Sequence, residues 1–348
     1  MGLDLAPQNL FNQINQINLY TMSKNIKRIA VYTSGGDAPG MNAALRAVVR
    51  TCAYHEIEVF GITGGYEGMM DGHLQKLETR DVGNIIQRGG TFLKTARSMR
   101  FMTEDGRKLA AATLKKHKIE GLVALGGNGT FTGAEIFHKE HGFPVVGVPC
   151  TIDNDLYGTD FTIGFDTALN TAVEAVDKIR DTAESHDRLF FIEVMGRDSG
   201  YLALHTAIAS GATLVLLPEK ETTYDELTAV LKTSAKRKKL FSLIIVAEGN
   251  KLGKTNEIAE ELKNRVGAYD TRVAVIGHLQ RGGSPSGADR LLASRLGSNA
   301  VEALIDGHKA VMVGVDNNLI KYTPLGIAIR NQKEINLDEL RLAEILAL

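Results

Sequence analysis

The chain has 348 residues, 23% of them charged, and a formal net charge of -1. That length exceeds a single small core and predicts two domains, while the even charge balance excludes a polyelectrolyte surface for nucleic acid. Two cysteines, Cys52 and Cys150, supply no disulfide framework, and no continuous apolar segment reaches the length of a membrane span. A reducing, cytoplasmic setting without membrane contact is therefore expected.

Residues 1–23 are rich in Asn and Gln, lack an apolar leader core and are expected to form a disordered extension. From Lys27 onward the pattern is strand, glycine turn, helix. Residues 29–32 read as a strand ending at Ser34-Gly35-Gly36-Asp37, and residues 43–50 have helical spacing after Pro39 and Gly40. A strand over 57–62 ends at Gly64-Gly65-Tyr66. A short helix is predicted over 81–87 and a loop over 88–100. A helix over 110–118 leads into a strand over 121–125, which ends at Gly126-Gly127-Asn128-Gly129-Thr130. A helix over 132–138 precedes a strand over 145–148. A second set follows: helices over 167–185, 202–210 and 224–236, and strands over 189–194, 213–217, 243–247 and 272–276. This alternation predicts an α/β fold of two Rossmann-like layered domains with mostly parallel sheets, their strand ends opening toward one cleft.

The run Gly147-Val148-Pro149-Cys150-Thr151-Ile152-Asp153-Asn154-Asp155 follows an apolar strand with a hydroxyl and two carboxylates at alternate positions. On an extended backbone Thr151, Asp153 and Asp155 would share one face. Asp153 is the candidate general base for a hydroxyl attacking a phosphoryl group, Thr151 a donor to the transferring oxygens, and Asp155 a metal or orienting ligand. The blander alternative is an Asx-turn in which the aspartates bond only their own backbone. The turns at Gly35-Gly36 and at Gly126 to Thr130 permit close approach of polyphosphate to backbone and to a helix start. Their spacing fits neither a Walker A loop nor a dinucleotide fingerprint. Arg97, Arg188, Arg197, Arg272 and Arg281 stand singly at loop and strand ends, where bidentate phosphate binding is one use of a guanidinium. Glu248 ends an apolar strand and could accept from sugar hydroxyls. Cys150 reads as packing, His186 and His278 lack metal-ligand partners at suitable spacing, and Met69, Met70, Met99 and Met102 read as packing or loop residues.

Several segments together resemble the bacterial-type ATP-dependent 6-phosphofructokinases. They are residues 33–42, Arg88-Gly89-Gly90-Thr91, Thr151 to Asp155, Gly164-Phe165-Asp166-Thr167-Ala168, Glu193-Val194-Met195-Gly196-Arg197 and residues 277–285. The resemblance spans residues 27–318. It implies transfer of the γ-phosphoryl group of ATP to O1 of fructose 6-phosphate in glycolysis, with Mg²⁺ and with Asp153 as base. The implied domains are a nucleotide domain over 24–164, completed by about 280–332, and a sugar-phosphate domain over 165–279 with a segment at about 333–348. On the nucleotide side the resemblance implies Gly36, Tyr66, Arg97, Ser98, Gly127, Asn128, Gly129, Thr130 and Gly133. On the sugar-phosphate side it implies Thr151, Asp153, Asp155, Met195, Gly196, Arg197, Glu248, His278 and Arg281. Arg97 would also stabilise the transferring phosphate. Arg188 and Arg272 match arginines that reach the sugar's 6-phosphate from a neighbouring subunit, which implies a homo-oligomer, usually a tetramer. Arg46, Arg50, Arg180, Arg237 and Lys239 resemble the lining of a site for a phosphate-bearing effector.

The chain departs from the family pattern at five positions. Asn128 replaces the aspartate associated with the nucleotide's Mg²⁺, which predicts weaker metal binding. Cys150 replaces the glycine of ATP users and the lysine of pyrophosphate users. Asp198 and Ser199 replace the commoner residues after Met-Gly-Arg, and Thr213 replaces an effector-site glutamate. Gly129 goes with ATP, since a side chain there would block the adenosine. The competing readings are a pyrophosphate-dependent enzyme and a weakly catalytic, ligand-binding paralogue.

Overall fold

The computed structural model describes residues 26–184, 188–236, 242–267 and 270–347. The expected extension over 1–23, together with His186, Arg237 and Lys239, lies outside them. Among the described residues eleven strands form two sheets. The first contains β1 (Arg28–Thr33), β2 (Glu58–Ile62), β3 (Leu74–Leu77), β4 (Gly121–Gly126), β5 (Val145–Pro149), β10 (Val311–Asp316) and β11 (Leu319–Pro324), in the order β11-β10-β5-β4-β1-β2-β3. Its central pairs are parallel, and the two edges, β3 on β2 and β11 on β10, are antiparallel. The second contains β6 (Arg188–Val194), β7 (Leu214–Leu216), β8 (Ser242–Ala247) and β9 (Asp270–Val275), in the order β7-β8-β6-β9, all parallel.

Strands β4, β5 and β8 are buried along their whole length, as parallel strands covered on both faces must be. Helices α1 (Met41–Tyr54) and α9 (Gly287–Ile305) pack on each other over one face of the first sheet. Helices α2 (Gly65–Asp71), α3 (Glu104–Lys116), α4 (Asn128–His141) and α10 (Leu325–Arg330) complete its surroundings. The second sheet is flanked by α5 (Phe165–Glu184), α6 (Tyr201–Ser210), α7 (Tyr224–Lys236), α8 (Thr255–Val266) and α11 (Leu337–Leu346).

The predicted helix over 81–87 is absent; these residues form consecutive turns, with Asp81 N–H donating to Glu78 O, Gly83 N–H to Arg80 O and Arg88 N–H to Ile85 O. Gly83 and Asn84 interrupt the run, and Asn84 takes the left-handed conformation at φ 57°. The loop that follows closes in a 3₁₀ turn at Arg100–Met102. Helix α3 starts well before the predicted residue 110, because Thr103 caps it by accepting from Gly106 N–H at 3.1 Å.

Candidate active site

The chain runs β1, β2, β3 to one side of the first sheet and β4, β5, β10 to the other, so the strand order reverses between β1 and β4. A crevice opens beyond the carboxyl ends at such a point, and both glycine turns stand there. Thr130 Oγ1 donates to Ser34 O at 3.0 Å and ties one turn to the other. The result is a cleft of about 770 Å³.

The cleft collects most of the candidates. Gly36, Tyr66, Arg97, Ser98, Gly127, Asn128, Gly129, Thr130 and Gly133 line it, together with Cys150, Thr151, Asp153, Asp155, Arg197 and Arg281. Tyr66 is buried, stacks on Phe101 with ring centres 3.8 Å apart and donates to Thr130 O at 2.6 Å. A Cβ at Gly36 would stand 2.9 Å from Arg281 Nη1, the mobile end of a side chain whose guanidinium also donates to Asp37 O at 3.1 Å. At Gly129 a Cβ would meet no protein atom within 4 Å, so packing does not demand the glycine. Ser98 is held by Glu67 at 2.5 Å, while Arg97 is exposed.

Thr151, Asp153 and Asp155 reach the same cleft, but not by extended alternation. The chain bends after Pro149, Asp153 N–H donates to Thr151 Oγ1 at 3.2 Å, and Asn154 takes φ 50°. The local bond is accepted by the threonine hydroxyl and not by an aspartate, and the carboxylates face Arg197 and Asn128, so the run is not an Asx-turn in which the aspartates bond only their own backbone. Asp153 is buried, its Oδ2 lies 3.8 Å from Arg197 Nε, and among the described residues its Oδ1 has no donor. Burial, with Asp155 close by, raises its pKa to about 6 against the pull of Arg281 and Arg197. Burial also raises the Asp155 pKa, opposed by backbone hydrogen bonding and by Asn128, whose Nδ2 donates to Asp155 Oδ2 at 2.7 Å. Cys150 is fully buried and burial drives its thiol pKa far up, which fits packing rather than nucleophilic use.

From the side of the second sheet, Arg197 and Arg281 line the cleft, while Met195, Gly196, Glu248 and His278 adjoin them without lining it. Arg197 follows β6 with φ 52°, and its N–H donates to Glu248 Oε1 at 2.6 Å, so Glu248 orients the arginine turn. Met195 N–H donates to buried Gln280 Oε1 at 2.9 Å, which joins the end of β6 to the 3₁₀ turn Gly277–Arg281 that carries exposed His278 and half-buried Arg281. Gly196 lies between them at φ 142°. Arg188 and Arg272 do not enter this cleft: both pair with Asp270, at 3.0 and 2.8 Å, at the opposite end of β6. Arg46 and Arg50 sit on α1, and Arg180 on α5 donates to Ser210 O; none lines the cleft.

Met99, Phe101, Met102, Arg107 and Ile136 also line the cleft. Met99 and Met102 are 75% and 70% exposed, so they form an apolar lip rather than core. Arg107 fixes that lip by donating to the carbonyls of Phe101 and Met102 at 3.0 and 2.7 Å. The sequence carried no signal for this lip, because the exposure of Met99 and Met102 is a property of the fold.

Residues 28–304 match the family model for phosphofructokinase. The chain is 54% identical to the ATP-dependent 6-phosphofructokinase of Cytophaga hutchinsonii, over 92% of this chain and 97% of that protein. It is 55% identical to ATP-dependent 6-phosphofructokinase 1 of Thermus thermophilus, over 93% of this chain and 100% of that protein. The structure of phosphofructokinase from Saccharomyces cerevisiae superposes with a TM-score of 0.84 at 37% identity, covering 92% of this chain and 48% of that longer one. This chain belongs to the phosphofructokinase family.

Proposed function

We propose that the protein transfers the γ-phosphoryl group of ATP to O1 of fructose 6-phosphate, giving fructose 1,6-bisphosphate and ADP. The observation that carries this reading is the Asp153 carboxylate, buried in the cleft that both glycine turns line, its Oδ1 without a donor among the described residues. With its pKa at about 6, Asp153 is ionised at neutral pH and basic enough to take the proton of an attacking hydroxyl. Thr151 and Arg97 are assigned to the transferring oxygens. Arg197, Arg281, His278, Glu248, Met195 and Gly196 are assigned to the sugar phosphate, and the turns at Gly36 and Gly127 to Gly133 to the nucleotide. The space beside Gly129 supports ATP over pyrophosphate as donor, as do the ATP-dependent relatives.

Asn128 and Asp155 offer an amide oxygen and a carboxylate at the nucleotide side of the cleft. Mg²⁺ is usually bound through one or two carboxylates with substrate phosphates and water, so this donor set fits it. When bound, the ion neutralises phosphate charge that builds up during transfer. Because the Asn128 Nδ2 is committed to Asp155, the side-chain oxygen is the atom left for the metal environment.

We assign the protein to a cytoplasmic homo-oligomer, a tetramer, in which Arg188 and Arg272 serve a neighbour's sugar-phosphate site. Arg46, Arg50 and Arg180 are assigned to a phosphate-bearing effector. An aldolase-coupled assay of the purified protein, with ATP or pyrophosphate as donor, tests the activity. Turnover with ATP supports it; turnover with pyrophosphate alone, or with neither, overturns it.

A further inference from the structure

Two helices, α5 and α9, and the segment over 331–336 carry the chain between the surroundings of the two sheets. The third crossing passes directly behind the acid loop. Gln332 pairs with Leu156, the residue after Asp155, in an isolated antiparallel bridge. Tyr201 OH donates to Glu334 O at 2.5 Å, and two residues earlier Ser199 Oγ donates to Asp153 O at 2.9 Å.

Lys333 stands at the centre of this junction. Its Nζ donates to Asp160 O at 2.6 Å and lies 4.7 Å from the centre of the Tyr201 ring. The same Asp160 carbonyl accepts from Asn154 Nδ2 at 3.2 Å, and Asn154 Oδ1 accepts from Thr162 N–H at 3.0 Å. Asn154 is the left-handed residue between the two cleft aspartates, a conformation that asparagine tolerates and that these two bonds hold in place. Asp160 is fixed from its other side, donating through N–H to Val315 O at 2.7 Å and accepting from Asn317 N–H at 2.8 Å. A surface lysine lays its stem on the protein and leaves its ammonium in water. Here burial lowers the Lys333 pKa to about 8, although Asp160, Asp155 and Glu339 all oppose the shift.

We propose that Lys333 is a positioning residue for phosphoryl transfer, clamping the Asp160 carbonyl and the Tyr201 ring so that the Asn154 turn keeps Asp153 aimed into the cleft. The proposal rests on Asp153 as the base, and a 1 Å misplacement of such a group can cost about 10²-fold in rate. The test compares Lys333→Met, Lys333→Gln and Lys333→Arg, with Asp153→Asn and the double variant Lys333→Met/Asp153→Asn alongside. The readouts are kcat, KM for each substrate and the melting midpoint. Lys333→Met should lower kcat about tenfold or more with both KM values within about threefold, and Lys333→Arg should recover most of it. Lys333→Met should add little loss to Asp153→Asn, because the lysine acts through that carboxylate.

A Lys333→Met kcat within about twofold of wild type, beside an inactive Asp153→Asn, overturns the lysine's role alone. Full turnover in Asp153→Asn overturns the assignment of the base. If Lys333→Met and Lys333→Gln both fail to fold, the lysine belongs to stability and the proposal is overturned.

Discussion

Burial at Asp153 acts on both catalysis and stability. The folded-state pKa of about 6 lies above the ordinary value of 3.8. The carboxyl's favourable contribution to folding is therefore complete only below the ordinary value and is lost as pH rises through about 6. At neutral pH the ionised group destabilises the fold, by up to about 3 kcal/mol if the whole shift is counted. Asp153→Asn should then lower kcat by about 10²–10⁴-fold with sugar-phosphate binding nearly intact, and raise the melting midpoint at pH 8. Turnover above a third of wild type defeats the catalytic half, and a lower midpoint defeats the other. The same shift predicts that wild-type kcat falls as pH drops through about 6, read from a pH–rate profile. Asn128→Asp would replace the 2.7 Å amide–carboxylate bond by two like charges. Half-saturating free Mg²⁺ at saturating nucleotide should fall, since the ion prefers charged oxygens, while metal-free stability at pH 8 should also fall. An unchanged or higher Mg²⁺ requirement defeats this expectation. These residues were legible because strand, glycine turn and acid adjoin in sequence. The lip of Met99 and Met102 and the lysine at 333 were not: only the fold leaves the two methionines exposed at the cleft, and Lys333 reaches the back of the acid loop from a segment far along the chain.

At the level of elements, Asp289 joins two of the crossings. It is buried in the first turn of α9, where it accepts from Gly164 N–H, Thr167 N–H and Thr167 Oγ1, at 2.8, 2.8 and 2.5 Å. All three donors lie at the start of α5, so one carboxylate holds both helix ends together. Asp289→Ala leaves these donors unmatched and should destabilise the protein by about 2–4 kcal/mol, measured as a lower denaturant midpoint with an unchanged slope. A midpoint equal to wild type would remove the clasp from the account. Most strands and helices were legible up to β9 because their apolar runs have a clear period and end at glycine. The run over 81–87 has helical apolar spacing, but Gly83 and the left-handed Asn84 break it into turns. Strand β3 escaped notice because a short edge strand with two exposed polar residues has almost no apolar pattern. Helix α9 gives a weak pattern for another reason: it packs on α1 and on β5, so its apolar residues do not form one narrow stripe.

For the whole molecule, the location of Arg188 and Arg272 is the observation with the widest consequence. Both pair with Asp270, while the cleft lies beyond the far end of β6. A seven-residue strand rises about 20 Å, well beyond the reach of an arginine side chain. Neither guanidinium serves its own cleft in this geometry. Strand β9 is an edge of the second sheet with Asp270, Arg272 and Val275 exposed, Val275 by 59%, which leaves this side available for a second copy. If the arginines complete a neighbour's site, dilution to monomer should weaken fructose 6-phosphate binding, since a dianionic phosphate needs charge-assisted partners. Subunit complementation gives a sharper test. Asp153→Asn lacks the base but retains Arg188, and Arg188→Ala retains the base but lacks the arginine. Each homo-oligomer should be nearly inactive at low fructose 6-phosphate. When equal amounts are dissociated and reassembled together, about a quarter of the sites should combine an intact Asp153 with an intact Arg188 from the neighbour, and activity should return to about that fraction. Sites built within one chain would never regain both groups, so a mixture no more active than the average of its two parents would show that Arg188 does not cross between subunits.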